Sequence, residues 1–162
     1  MHVSRTFGDD PDHVGKELHL LPLDGAEPGV VFRFDVGADS DGEVFEALGA
    51  IHGGWTEAPR FAVYGDWEVD REGDPTGFEA SRLELSGLRR THIDTFHTDY
   101  LLKRLSRPGS YTVLGLYGDE EGLRLCREHP AIRDWARNKA PAQWRAQDTS
   151  GVRLFRIAEA RL

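Results

Sequence analysis

The side chains best suited to acid–base or binding chemistry are histidines and polar aromatics in the second half of the chain. The segment HTDYLLKRLSRPGSYTVLGLYGDEEG contains His97, Tyr100, Arg104 and Tyr117. An imidazole with apolar neighbours can hold its pKa near neutrality and act as a general base. A buried histidine bonded to a backbone carbonyl, with each tyrosine in the core, explains the same residues. The question is therefore whether the fold brings these side chains together.

A second group, in HIDTFHTD, has the chemistry of metal ligands. In a strand, His97 and Asp99 share one face while His92 and Asp94 share the other. In a helix, five residues separate the two histidines by about 140° around the axis. Neither geometry makes a compact cluster, so we expect no metal site. The single cysteine, Cys126, excludes an intramolecular disulfide and a thiolate-rich zinc site.

The segment from Thr91 to Leu105 is compatible with two structures. As a helix it begins with a threonine cap and groups several apolar residues on one face. As a strand it is rich in β-branched and aromatic residues. Pro108-Gly109 fits the central positions of a type II turn, and YTVLGLY after it has a strand pattern. We therefore favour a β-hairpin over the helix.

The elements around this hairpin predict an α+β fold. RFAVYGDWEVD has the alternation of a strand, and a helix is expected from near Thr76. Asp119 is a suitable N-cap for a further helix, with a break at Pro130, and GVRLFRIAEARL ends the chain as a strand. From Phe61 onward the order is βαββαβ, which is the ferredoxin-like arrangement of an antiparallel sheet with helices on one face.

The N-terminal region is predicted to be separate from this arrangement. PGVVFRFDVG indicates a strand from Val30 to Val36. SDGEVFEALGAIHGG indicates a helix, because Ser40 and Glu43 have capping-box spacing and a Gly-Gly pair follows. We assign residues 1–58 to an N-terminal strand-helix extension or a degenerate first half-repeat, and residues 59–162 to the ferredoxin-like domain.

Composition limits the classes of partner. The chain has 162 residues and a formal net charge of -8, with 39% hydrophobic residues. This acidity argues against nucleic acid or an anionic membrane as a partner, because phosphate binding needs a local excess of Lys and Arg. Neither a signal-peptide core nor an 18-residue apolar stretch is present, so a cytoplasmic protein is expected.

The segment DYLLKRLSRPGSYTVLGLYGDEEGLRLCREHPAIRDWARN resembles the second half of the antibiotic-biosynthesis monooxygenases and their dimeric α/β-barrel relatives. Those proteins commonly have a strand, a Pro-Gly turn, a strand ending in Trp, an acidic helix start and an Ala-His-x-x-Trp-like segment. Tyr117 stands here at the Trp position, and HPAIRDW stands for the last segment. The resemblance covers roughly the last hundred residues.

The resemblance implies a homodimer whose sheets face each other, and a pocket between sheet and helices in each subunit. Such pockets accept flat hydrophobic molecules, and members of the family oxidise without a cofactor, cyclise, or degrade haem. The haem-degrading members have a histidine where this chain has Ile132. We therefore expect no cofactor.

Two functional hypotheses follow, and both are carried forward. The first is a cofactor-independent oxygenase or cyclase of antibiotic-biosynthesis type, acting on a hydrophobic, polyketide-like aromatic molecule. In it His97 removes a proton, while Tyr117 and Arg104 stabilise the resulting anion. Three aromatic side chains would sandwich the ring: Trp67, Tyr100 and Trp135. The second is a non-catalytic acidic protein, an inhibitor or immunity-type partner of a basic protein; a ligand carrier using the same pocket is a weaker third.

Overall fold

The computed structural model of the chain describes residues 3–8, 16–23, 30–34, 43–70, 72–105, 107–138, 146–148 and 153–161. Its strands are β1 (Val3–Gly8), β2 (Lys16–Pro22), β3 (Val30–Phe34), β4 (Glu43–His52), β5 (Phe61–Val69), β6 (Phe96–Arg104), β7 (Ser110–Tyr117), β8 (Ala146–Asp148) and β9 (Arg153–Arg161). Its helices are α1 (Pro75–His92), α2 (Glu120–Glu128) and α3 (Pro130–Asn138). Within this part of the chain, no helix combines the length and apolarity needed to cross a bilayer.

Four strands and the three helices form the predicted ferredoxin-like unit. The strands lie in the order β6-β7-β5-β9, with every neighbouring pair antiparallel. Helix α1 connects β5 to β6, and α2 with α3 lies between β7 and β9. Asp119 accepts from the Gly122 backbone as the predicted N-cap, and the helical segment divides at Pro130 as expected. The βαββαβ prediction is confirmed.

The first four strands close this sheet into a ring. Strand β4 pairs with β6 at one edge, and β2 pairs with β9 at the other. Between them β1 lies beside both β3 and β4, in parallel, and β3 pairs with β2. Because β5 also pairs with β7, eight strands make a continuous circuit, and β8 adds to the side of β5. The division of the chain at residue 58 stays a prediction.

The predicted helix in SDGEVFEALGAIHGG is wrong, because the structure has strand β4 there. The pairing of β4 with β6 shifts register between Ala47 and Gly49. Leu48 and Ile51 consequently both pack on the helix side of the sheet, in two different core clusters. An irregular strand has thereby reproduced the i, i+3 spacing of a helix face. Ser40, the supposed cap, lies outside the described residues.

The predicted hairpin is confirmed, although it begins later than expected. Helix α1 continues to His92, so the strand starts only at Phe96. The turn is closed by a 3.1 Å hydrogen bond from the Ser110 N–H to the Arg107 carbonyl. Gly109 has φ +79°, as the third residue of a type II turn requires.

The sheet separates two apolar regions. Inside the barrel, one cluster is formed by residues from β2, β5, β6, β7 and β9: Leu18, Leu20, Ala62, Tyr64, Tyr100, Leu102, Leu114, Leu116 and Phe155. On the opposite face, two clusters hold the helices against the sheet, with Phe78 and Leu85 from α1 and Leu123, Cys126 and Ile132 from α2 and α3. Any residue on β5, β6 or β7 therefore faces either the barrel interior or the helices.

Candidate functional site

A cavity of about 250 Å³ lies between the helices and the sheet. Its walls come from β5 and from all three helices: Trp67, Phe78, Ser81, Arg82, Leu85, Arg89, Cys126, Arg127, Ile132, Trp135 and Ala136. Most of this lining is aromatic or aliphatic, and its polar groups are few. Such a composition is typical of a site for an organic molecule with a flat apolar body.

A buried ion pair borders this cavity. Arg89 of α1 donates from Nη1 to Asp99 Oδ2 of β6 at 2.9 Å, and the two side chains are 13% and 6% exposed. Burial alone would lower the pKa of Arg89, but the Asp99 carboxylate, together with Tyr117 and Cys126, more than offsets burial and raises that pKa. Arg89 is therefore a fixed cation, and its Nε has no hydrogen-bond partner among the described residues.

Tyr117 and Cys126 lie beside this pair and are held neutral. Burial raises the pKa of the Tyr117 phenol well above its ordinary value, and Arg89 offsets this only in part. Burial also raises the pKa of the Cys126 thiol. The Tyr117 hydroxyl has no partner of ordinary hydrogen-bond geometry in the described part of the chain, although the Cys126 sulfur adjoins it. Tyr117 is thus a protonated donor beside a cation.

The aromatic wall is organised around Arg82. Its guanidinium carbon lies 4.1 Å from the Trp67 ring centroid, 5.3 Å from that of Phe78 and 5.7 Å from that of Trp135. Stacking of this kind holds a planar cation against aromatic faces at little desolvation cost. The two tryptophans therefore flank a positive charge.

Three of the six residues predicted for the site lie at or beside this cavity. Trp67 and Trp135, predicted to hold a ring system, both line it. Tyr117 lies behind it, next to Arg89 and Cys126.

The other three predicted residues lie elsewhere. Tyr100 is 3% exposed and belongs to the cluster inside the barrel. Arg104, four residues further along β6, falls on that same interior face by alternation. His97 lies at a register shift between Phe96 and Thr98, and its Nδ1 is 2.9 Å from Thr98 Oγ1. The predicted cluster of His97, Arg104 and Tyr117 is therefore not formed, and the assigned roles stay predictions.

The register shift also explains why the expected strand face failed. Regular alternation would place His97 beside Leu101, but Leu101 packs with Phe78 on the helix side. His97 instead shares Thr98 with His52, whose Nδ1 is 3.0 Å from the same hydroxyl. The irregularity at this one position therefore separates His97 from the strand face of Leu101.

The four residues of HIDTFHTD that resemble metal ligands are also dispersed. Asp99 pairs with Arg89. His92 stacks on His129 with ring centroids 4.6 Å apart, at the end of α1.

The sequence interpretation missed the two arginines of α1. Arg82 and Arg89 are seven residues apart, as are Phe78 and Leu85, so all four lie along one helix face. Two cations within an apolar stripe were a usable signal, because cations on a buried face need a partner or a ligand.

A larger open groove of about 740 Å³ lies at the start of α2. It is lined by two arginines and three acids, with only two apolar side chains: Arg60, Arg156, Asp119, Glu120, Glu121, Phe61 and Ile157. Mixed charge and an open shape do not suit a flat apolar ligand, so the smaller cavity is the candidate site.

No family model matches the sequence, and no curated protein matches it. Solved structures do match. SnoaB, a cofactor-independent oxygenase from Streptomyces nogalater, is 19% identical with a TM-score of 0.51, covering 65% of this chain and 96% of that one. A ferredoxin-fold protein from Listeria monocytogenes, related to antibiotic biosynthesis monooxygenases, is 9% identical with a TM-score of 0.52, covering 93% and 99%. The chain therefore shares the ferredoxin-like fold of these proteins.

The same fold is found in proteins described in other terms. A major regulator of staphylococcal pathogenesis is 11% identical with a TM-score of 0.62, covering 90% of this chain and 85% of that one. The chain also spans only about half the length of two matching structures, from Fusobacterium nucleatum (52%) and Lactobacillus acidophilus (50%). The shared ferredoxin-like fold therefore defines the architecture alone, and function must be argued from the site.

The cavity does not suit haem iron. Ile132, which the sequence resemblance aligns with the histidine of the haem-degrading family members, lines the cavity with its apolar side chain. Among the described lining residues, Cys126 alone carries a ligating atom of the usual haem type, and its raised pKa disfavours the thiolate.

Proposed function

We propose that the protein is an enzyme, a cofactor-independent oxygenase or cyclase that acts on a flat aromatic, polyketide-like molecule in the cavity between helices and sheet. The observation that carries this proposal is the cavity itself. Aromatic walls at Trp67 and Trp135 stand beside a buried cation, Arg89, and a protonated phenol, Tyr117.

Both reaction types pass through an enolate or phenolate of the substrate. A cation near the substrate oxygen favours the ionised form and lowers its pKa. Arg89 replaces Arg104 in this role, because it is Arg89 that lines the cavity. Tyr117 lies behind Arg89 and not in the lining, and because it keeps its proton no phenolate competes with the substrate for Arg89; direct donation by Tyr117 stays a prediction.

In the oxygenase reaction the substrate supplies the electrons. An activated ring CH₂ loses a proton, and the resulting anion forms a C–O bond with dioxygen. The hydroperoxide so formed loses water and leaves a ketone. One dioxygen is consumed per product, and neither metal nor flavin is needed to balance the reaction.

The proton acceptor in this scheme differs from the sequence prediction. The described lining contains neither a carboxylate nor an imidazole, so we propose that a water molecule takes the proton from a substrate whose acidity the arginines increase. Removal of a proton by His97 stays a prediction, and His97→Ala tests it directly.

A homodimer and a cytoplasmic location also belong to this proposal. The sheet face predicted to meet a partner is covered by Leu18 and Leu20 of the same chain. A homodimer must therefore use another surface, and native mass spectrometry measures whether one forms.

The test is oxygen uptake with a panel of ring ketones and phenols, with anthrone as the first probe. Dialysed protein in excess EDTA should consume oxygen and form anthraquinone in equal amounts. Arg89→Gln should lower kcat/KM by about 100-fold, as expected for loss of one preorganised group that stabilises the anion. Arg133→Gln, which removes an exposed cation from α3, is the matched control and should have little effect.

Two results would contradict the proposal. One is uptake that EDTA abolishes, which would make the activity metal-dependent. The other is binding of panel members in the cavity without turnover of any of them, which would leave a carrier rather than an enzyme.

A further inference from the structure

We infer that the ligand of this cavity is an aromatic acid, a planar ring system bearing a carboxylate or an equally acidic oxygen group. This inference rests on the proposed function only for the location of the site. It adds the charge and the hydrogen-bonding character of the ligand, which the fold does not specify.

The first observation is the charge of the lining. Arg82, Arg89 and Arg127 all border the cavity, and no acidic residue does so within the described part of the chain. The protein as a whole has a net charge of -8. A cationic cavity in an acidic protein selects among anions. The acidic surface repels anions in general, whereas the arginines attract those whose shape allows them to enter the cavity.

The second observation is the chemical character of the buried polar groups. Four buried polar atoms that belong to residues lining the cavity have no hydrogen-bond partner among the described residues: Arg89 Nε, Trp67 Nε1, Trp135 Nε1 and Ser81 Oγ. Three of them can only donate, and the serine hydroxyl can do so as well. Buried donors are costly unless a partner is supplied, so the complementary ligand is rich in acceptors. Carboxylate and phenolate oxygens meet this requirement, whereas an amine does not.

The third observation is the shape and size of the space. The planar Arg82 guanidinium lies 4.1 Å from the Trp67 ring centroid and 5.7 Å from that of Trp135, so this wall consists of flat groups and suits a flat ligand. The volume of about 250 Å³ is below the roughly 300–1,000 Å³ of typical small-molecule pockets. One or two fused rings with an acidic group therefore fit better than a fully built tetracycle.

The experiment compares 2-naphthoate with 2-naphthamide, which has nearly the same shape and no charge. Affinities are measured by calorimetry at low ionic strength on the full chain. The acid should bind about tenfold or more tightly than the amide, as a charge-assisted contact implies. Arg82→Gln or Arg127→Gln should remove most of this preference, while Arg133→Gln, which alters a cation outside the cavity, should retain it.

Several outcomes would overturn the inference. They are equal affinity for acid and amide, no measurable binding of either, and a preference that survives both arginine substitutions. Near-UV circular dichroism on each variant shows whether the fold is retained, and Ser81→Ala provides a second, milder test of the same donor set. Acid-selective binding without oxygen uptake would contradict the proposed oxygenase and support this inference. Oxygen uptake with neutral phenols, without a preference for acids, would support the oxygenase and contradict this inference.

Discussion

The Arg89–Asp99 pair shows how one residue serves both the fold and the site. Asp99 balances a cation that would otherwise lie uncompensated between sheet and helix, and it fixes the direction of the guanidinium. Gly115 leaves room for this carboxylate, because a Cβ there would come within 2.4 Å of Asp99 Oδ1. The position of the cation therefore depends on residues from β6 and β7 as well as α1.

Replacing Asp99 tests this dependence. Asp99→Ala should lower the free energy of unfolding by about 3–5 kcal/mol, because a buried arginine loses its partner. Asp134→Ala, which breaks the exposed 3.2 Å pair with Arg137 on α3, is the control and should change stability little. Urea denaturation measures both. Equal effects would show that the buried pair has no special importance.

Tyr117 gives a pH-dependent prediction. Above pH 10 the folded chain keeps the Tyr117 phenol proton, whereas the unfolded chain releases it. Unfolding therefore releases a proton, and raising the pH favours unfolding. This contribution to stability is complete below about pH 10 and is lost above it, at about 1.4 kcal/mol per pH unit. Because Tyr111 also has a raised pKa, Tyr117→Phe should reduce the total slope between pH 10 and 11.5 by this amount in urea denaturation; an unchanged slope would contradict the assignment.

Of the three aromatic residues predicted to hold a ring, Trp67 and Trp135 line the cavity, whereas Tyr100 lies inside the barrel. Trp67 and Trp135 were recognised because large aromatics near a sheet are strong binding candidates whichever element carries them. His97 was placed by strand alternation, which the register shift at Phe96–Thr98 made unreliable, whereas Arg104 was chosen for its charge near the predicted sheet. A bulge has no marker in a single sequence, so the face of each β6 side chain could not be predicted.

Secondary-structure elements were correctly predicted wherever the local residue pattern and the tertiary packing favour the same structure. The Asp119 cap, the break at Pro130 and the Pro-Gly turn were each correctly predicted from local chemistry. The β4 segment failed because its apolar spacing came from a bulge against β6 rather than from helical periodicity. The pairing partner that decides this lies about fifty residues away, beyond any local signal.

Two glycines test how strictly the elements constrain the backbone. Gly109→Ala should destabilise the protein by about 1–2 kcal/mol, since φ +79° is unfavourable for a residue with a Cβ. Gly87→Ala, in α1, should stabilise it by up to about 1 kcal/mol, because a Cβ there meets no atom within 4 Å. Thermal unfolding of the two variants should shift in opposite directions, and a shift of both in the same direction would show that the helix or the turn is assigned incorrectly.

At the scale of the molecule, the N-terminal strands complete a barrel that the ferredoxin-like unit leaves open. Leu18 and Leu20 are at most 1% exposed and pack on side chains from β5, β6, β7 and β9. The sequence resemblance covered the last hundred residues, so it could not show how residues 1–58 pair with the sheet. That pairing joins strands distant in sequence and is decided by which edges remain unpaired.

The contribution of these strands is measurable. Leu20→Ala should lower the free energy of unfolding by about 2–5 kcal/mol while keeping a single transition, as for truncation in one continuous core. Leu21→Ala, a neighbour that is 45% exposed, is the control and should have little effect. Separate transitions for the N-terminal strands and the rest would contradict a single closed barrel.

Net charge leads to the alternative hypothesis of an acidic protein that binds a basic partner. That hypothesis requires affinity that falls steeply as salt is raised, because the attraction would be spread over the surface. An aromatic acid in the cavity contacts only a few arginines at short range, so its affinity should fall much less steeply with salt. The salt dependence of the first ligand found therefore distinguishes the two.

The central claim is that the cavity between α1, α3 and β5 takes the ligand, and filling it is the most direct test. Ser81→Leu places an isobutyl group in the cavity, while Ala80→Leu adds the same group on the exposed face of the same helix. The measurement is the affinity for whichever compound binds most tightly, from the oxygen-uptake panel or the naphthoate pair, with near-UV circular dichroism confirming the fold. We expect Ser81→Leu to lose about tenfold or more in affinity and Ala80→Leu to bind like the wild type. Wild-type affinity in both variants would show that the ligand binds elsewhere.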